Sequence, residues 1–104
     1  MAAIDPIHFQ PLHKYFPELT LNQASIGILR AQGCSVSEIA LLRGISESAV
    51  KKTLAATCQN MNVSSVSVMS TAIDVRIKIN QATAIERLLD KLDSQMSTCP
   101  TNPA

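Results

Sequence analysis

The stretch that decides the fold runs from Ser35 to Met61 and reads SVSEIALLRGISESAVKKTLAATCQNM. Ser35 and Glu38 have the spacing of a capping box, in which each side chain satisfies a free backbone amide at the start of a helix. Gly44 is placed to end this helix, and Ser46 can cap the next one. Two short helices joined by a glycine turn are typical of a helix-turn-helix.

The second helix of this pair has an apolar side and a polar side. Val50 and Leu54 fall on the apolar side at helical spacing, whereas Lys51 and Lys52 fall on the outside. In a helix-turn-helix the second helix lies in the major groove, and its free N-terminal amides favour a phosphate. Helix 46–61 is therefore predicted to bind double-stranded DNA. The candidate DNA-binding residues are Ser46, Glu47, Ser48, Lys51, Lys52 and Ala55.

On the N-terminal side of this stretch, Thr20 and Gln23 form a second pair with capping-box spacing. They predict a helix over residues 21–32, followed by a glycine that ends it. Residues 1–18 contain three prolines, which forbid a long helix. This segment is predicted to be an extended or turn-rich arm, with a short helical turn around residues 12–15.

On the C-terminal side, a long helix is predicted from about Val66 to Gln95, because no glycine or proline interrupts this stretch. Its apolar residues recur at steps of three and four, and they thin out at Asn80 and Gln81, where a bend or break would fall. Beyond about Ile77 this apolar stripe is too long for the other helices to cover, which predicts a partner. The partner can be a second copy, a different protein or the proline-rich arm. The candidate dimerisation residues are Ile73, Ile77, Ala84, Ile85, Leu88 and Leu92.

The composition favours one small domain built from helices. The chain has 104 residues, is rich in aliphatic side chains and contains 3% aromatic residues. Its net charge is only +1, but residues 19–66 hold an excess of positive charge. The predicted parts are a proline-rich arm (1–18), a helix-turn-helix core (19–66), a long dimerisation helix (67–97) and a disordered tail (98–104).

Several positions together resemble the LuxR-type (GerE-like) helix-turn-helix family of bacterial transcription regulators. The resemblance extends over residues 19–73 without gaps. It implies an all-α fold, with a LuxR-type four-helix helix-turn-helix domain whose last helix mediates dimerisation and is extended in this chain. The segments that carry it are Leu19-Thr20, Ala31-Gln32-Gly33, Ser37-Glu38-Ile39-Ala40, Gly44-Ile45-Ser46 and Val50-Lys51.

The resemblance also implies roles for residues of the second helix. Lys51, Lys52 and Ala55 match family positions that face bases. Ser46, Glu47 and again Lys51 match positions near the phosphate backbone. An alanine can offer only an apolar contact, for instance to a thymine methyl group.

The departures from the family pattern, apart from Gln23, remove positive charge. Gln23 replaces the family's acidic residue and Thr53 replaces its histidine, whereas Asn60-Met61-Asn62 replaces Lys-Leu-Gly. The arginine expected among residues 64–67 is absent. Because phosphate neutralisation supplies much of the binding free energy, a single copy is expected to bind DNA weakly and with a shallow salt dependence.

Other functional classes find little support in the sequence. No nucleophile elbow, phosphate-binding loop or paired-carboxylate pattern is present, so we expect no enzyme activity and no cofactor. The spacings of Cys34, Cys58 and Cys99 and of His8 and His13 fit no metal signature, and reduced thiols are expected. Without a signal peptide or a long apolar run, a cytoplasmic, nucleoid-associated protein is expected.

Two functional hypotheses follow. The first is a sequence-specific transcription regulator that acts alone as a homodimer and inserts helix 46–61 into the major groove. The alternative is a degenerate helix-turn-helix protein that has lost its affinity for DNA. Such a protein would bind and modulate another transcription regulator through residues 73–96.

Overall fold

The computed structural model describes residues 3–97, and this part of the chain consists of helices and their connections, with no strand. The expected all-α class is therefore confirmed. The tail at 98–104 that was expected to be disordered lies outside the described residues, as do residues 1–2. The elements are a 3-10 helix (Pro6–Phe9), α1 (Gln10–His13), α2 (Leu21–Ala31), α3 (Val36–Arg43), α4 (Glu47–Asn60) and α5 (Val66–Ser97).

The helices begin and end at the capping residues that the sequence contains. Thr20 Oγ1 accepts a hydrogen bond from Gln23 N at 3.1 Å, and Gln23 Oε1 accepts one from Thr20 N at 3.0 Å. Ser35 and Glu38 make the same reciprocal pair, at 3.1 and 2.8 Å. Beyond the end of α4, Asn62 has a φ of 59°, the left-handed conformation that often closes a helix. Both predicted capping boxes are therefore confirmed.

The N-terminal segment is turn-rich and packs on the other helices. Its helical turns begin earlier than expected, because Pro6 and Pro11 occupy first-turn positions, where the missing amide hydrogen costs nothing. Ile4 N donates to Leu42 O at 3.0 Å, which attaches the segment to the end of α3. Phe16 is fully buried. This segment therefore contributes to the core.

Helix α2 lies at the centre of the core, in contact with α3, α4 and α5. A β-carbon placed on Gly27 would lie 2.8 Å from Cδ1 of Ile73. Helices α2 and α5 approach this closely because residue 27 has no side chain. The largest fully buried side chains are Phe16, Ile26, Ile39, Met69, Ile73, Val50, Thr57 and Ser25.

Helix α5 is continuous, and the bend or break considered at Asn80 and Gln81 does not interrupt it. The Nδ2 of Asn80 donates to Arg76 O at 2.8 Å. At 1.5 Å per residue the helix is about 48 Å long. Its first half packs on α2 and α4, and its second half continues past them. The radius of gyration is accordingly 18.5 Å, whereas a compact domain of this length has about 13 Å.

Candidate nucleic-acid interface

The turn between α3 and α4 fixes how α4 sits on the core. Gly44 has φ 67° and ψ 37°, a left-handed conformation that ends α3. Ile45 N donates to Ala40 O at 3.0 Å, and Ala40 is buried at the junction. The side of α4 that packs on the core contributes the buried residues Val50, Leu54, Thr57 and Cys58.

The opposite side of α4 is exposed to solvent. Ser46 Oγ accepts a hydrogen bond from Ala49 N at 3.1 Å and so caps the helix as predicted. The structure brings the six candidate DNA-binding residues together on one side of the first three turns of α4. This surface is called the α4 face, and its exposed members are Ser46, Glu47, Ser48, Lys51, Lys52 and Ala55.

Arg30 is a further cation beside the α4 face that the predicted set missed. It lies at the end of α2 and lines a shallow hollow of about 310 Å³ together with Lys51 and Ala55. Its Nη1 also donates to Cys34 O at 3.4 Å, near the limit for a hydrogen bond. Arg30 and Lys51 are 21 residues apart, so only the packing of α2 on α4 could have revealed their proximity.

One acid and one cation near the α4 face are engaged within the protein. Ser37 Oγ donates to Glu47 Oε2 at 3.1 Å, which holds this carboxylate beside α3. Arg43 is buried, and its guanidinium donates to Ser25 Oγ at 2.6 Å and to Asn22 Oδ1 at 2.8 Å. Burial lowers the pKa of the Arg43 guanidinium, and the charge of Asp5 opposes this shift.

The positive charge available at the surface is therefore smaller than the sequence suggested. Arg43 contributes to the excess in residues 19–66, but its side chain faces the core. Lys51 and Lys52 on the α4 face and the nearby Arg30 remain as the cations that a phosphate can reach. Arg43 acts as a positioning residue, since its two hydrogen bonds join α3 to α2.

The end of α4 is tied to the start of α2. Asn60 donates from Nδ2 to Gln23 Oε1 at 2.9 Å. The same oxygen accepts the capping hydrogen bond from Thr20 N. Thr53 is half-buried, and its backbone carbonyl accepts a hydrogen bond from Thr57 Oγ1 at 2.7 Å. The side chain of Asn60 is therefore engaged within the fold.

The six candidate dimerisation residues fall into two groups. Ile73 and Ile77 are buried among the helices of the single chain, so they are not available to a partner, and we revise the predicted set accordingly. The other four, from the second half of α5, are exposed. They are Ala84, Ile85, Leu88 and Leu92.

The cysteines and histidines of the described residues make contacts within the fold. Cys34 and Cys58 are free thiols, and burial raises the pKa of the Cys58 thiol. His8 Nδ1 accepts a hydrogen bond from Asp5 N at 3.1 Å, and His13 Nε2 lies 2.7 Å from Leu19 O. Within residues 3–97, no group of three or more His, Cys, Asp or Glu side chains is placed to hold a metal ion. Cys99 lies outside the described range.

Helix α5 is the longest in the described part of the chain, yet it is not a membrane span. Over residues 3–97, none of the helices combines the length and the hydrophobicity that crossing a bilayer requires.

In comparisons with known proteins, no protein-family model, curated protein or solved structure matches this chain.

Proposed function

We propose that this protein is a sequence-specific DNA-binding transcription regulator of the LuxR type, with α4 as its recognition helix. The observation that carries the proposal is the two-sided environment of α4. One side is buried against α2 and α3, and the other presents Lys51 and Lys52 to solvent behind a capped, exposed N-terminus. A helix held in this way can enter the major groove with its first turns leading.

Different parts of the α4 face suit different parts of DNA, namely the phosphates and the base edges. The amides that follow Ser46 and the positive end of the helix dipole suit a phosphate. Lys51 is placed to reach a base edge or a phosphate, whereas Ala55 offers a small apolar surface. With only a few accessible cations, one copy neutralises few phosphates, so affinity depends on two copies that bind a dyad-symmetric site.

The proposal is tested by the affinity of the full chain for duplexes selected from random sequence. Lys51→Ala should weaken specific binding by about 1–3 kcal/mol in fluorescence anisotropy titrations. Lys78→Ala is the matched control, because Lys78 is an exposed cation on α5 that pairs with Asp74 at 2.8 Å. Equal losses in the two variants would remove Lys51 from the interface.

A second candidate function is an interaction protein that modulates another regulator. It is favoured by the burial of Arg43, which leaves the α4 face with little positive charge, and by the apolar surface on α5. The two functions differ at low salt. At about 50 mM salt, where phosphate contacts are strongest, a DNA-binding protein is retained by random duplexes. Failure to bind any duplex under these conditions would favour the second function.

A further inference from the structure

The second half of α5 carries an apolar stripe that nothing within the described chain covers. Ile85 is 58% exposed, Leu89 is 54% exposed and Met96 is 69% exposed, and Leu88 and Leu92 lie between them. Most helical stability in proteins comes from the packing of one face, and the second half of α5 lacks such packing within the described chain. The exposed apolar stripe therefore indicates a binding partner.

The charges beside this stripe are sorted by sign. At 3.6 residues per turn, Glu86 and Asp93 fall along one edge of the stripe, and the acidic Asp90 lies behind them. Lys91 falls along the opposite edge, with Arg87 behind it. The helix thus has an acidic edge and a basic edge, and all five of these residues are exposed.

We propose that the stripe pairs with the same stripe of a second copy, and that the two helices run parallel. In a parallel pair the basic edge of each helix faces the acidic edge of the other on both sides of the seam. Lys91 then lies two residues, about 3 Å along the axis, from the level of Asp93 of the second copy.

An antiparallel pair is disfavoured by the same charges. In that arrangement each edge faces its own equivalent, so acid meets acid and base meets base. If the pair is centred on Leu89, Arg87 lies opposite Lys91 of the second copy, and Glu86 lies within one residue of Asp93. Like charges then repel each other along both edges of the antiparallel pair, so the arrangement of the charges favours the parallel orientation.

The parallel orientation deepens the proposed function, on which this consequence rests. Two helices that run the same way place both α4 faces at one end of the dimer. Neighbouring half-sites on one face of DNA are about one helical turn, or 34 Å, apart, so the two recognition helices need to be on the same side. An antiparallel pair would place them at opposite ends.

The self-association is tested without DNA, so that its failure can be told apart from a failure of DNA binding. In sedimentation equilibrium, the full chain should have the mass of a dimer. Leu89→Asp should convert it to a monomer, because the partner would have to bury an unpaired charge. Val68→Asp is the matched control: Val68 is 51% exposed in the first turn of the same helix, and this variant should remain a dimer.

The orientation is tested by disulfide formation in a background of Cys34→Ser, Cys58→Ala and Cys99→Ser. A disulfide requires the two α-carbons to lie within about 7 Å of each other. In a parallel pair, the Met96→Cys chain should cross-link to itself on mild oxidation, and so should the Ala82→Cys chain. In an antiparallel pair centred on Leu89, disulfides should instead join position 82 of one chain to position 96 of the other.

Each outcome of these two experiments either supports or contradicts the parallel dimer. A dimer with self-linked position 96 supports the proposal. A chain that stays monomeric at all concentrations overturns it and leaves the stripe to a different protein. A larger oligomer, or a mixture that gives mainly links between positions 82 and 96, overturns the parallel pair.

Discussion

The two halves of α5 have apolar residues at similar helical spacing but lie in different surroundings. Ile73, in the first half, is fully buried against α2, close to Gly27. Ile85, twelve residues later, is largely exposed. The periodicity of a helix therefore shows that one face will be covered, but not whether the same chain covers it. That depends on where the other helices end.

The largest expected effect comes from shortening one isoleucine in each half. Ile73→Ala should lower the free energy of unfolding by about 2–5 kcal/mol at every protein concentration, because it leaves a cavity in the core. Ile85→Ala should lower it only at concentrations where the chain is paired. Urea unfolding at two protein concentrations measures both. A concentration-independent loss for Ile85→Ala would show that its surroundings belong to the single chain.

A smaller effect is expected from removing one guanidinium in each region. Arg43→Met keeps most of the side-chain stem but leaves Ser25 Oγ and Asn22 Oδ1 without their donor, at an expected cost of about 1–3 kcal/mol. Arg87→Met, on the exposed half of α5, should change the stability of the single chain by no more than about 0.5 kcal/mol. Urea unfolding of dilute samples measures both, and equal costs would contradict the structural role of Arg43.

The smallest effect concerns the ion pair that links the first half of α5 to the N-terminal segment. Arg76 Nη1 donates to Glu18 Oε1 at 2.8 Å, and this hydrogen bond holds the pKa of the Glu18 carboxyl below its usual value. The stabilisation is full above the ordinary glutamate pKa of about 4.3 and is lost as the pH falls through the lower pKa of the folded state.

Glu18→Gln should therefore cost about 0.2–1 kcal/mol at neutral pH and little in strong acid, where the pair is already lost. Thermal unfolding at several pH values measures this dependence. Glu86→Gln, on the exposed half of α5, serves as the control for a carboxylate without such a contact to the core, in samples dilute enough to keep the chain unpaired. If both variants changed the pH dependence equally, the Glu18–Arg76 pair would contribute nothing specific.

The sequence predicted those features that depend on neighbouring residues. The capping pairs at Thr20 and Ser35 and the helix end at Gly44 involve only a few consecutive positions, so a single sequence contains all the information that they need. The six residues of the α4 face were found in the same way, since one helical period places them on one side.

Contacts between distant parts of the chain could not be predicted from local patterns. The burial of Arg43 depends on Asn22 and Ser25, and the place of Arg30 beside Lys51 depends on the packing of two helices. Both arginines contribute to the positive charge of residues 19–66, yet Arg43 faces the core, whereas Arg30 lines a surface hollow. The formal charge of a segment therefore overstates the positive charge that lies on its surface.

The hydrogen bond between Asn60 and Gln23 has a further consequence for experiments with salt. Two neutral amide side chains hold the far end of α4, the proposed recognition helix, so counterions do not weaken this bond as they weaken an ion pair. The helix should therefore keep its position on the core when salt weakens the proposed contacts with phosphate. A fall in DNA affinity with rising salt then reports displaced counterions, with the protein itself unchanged in shape.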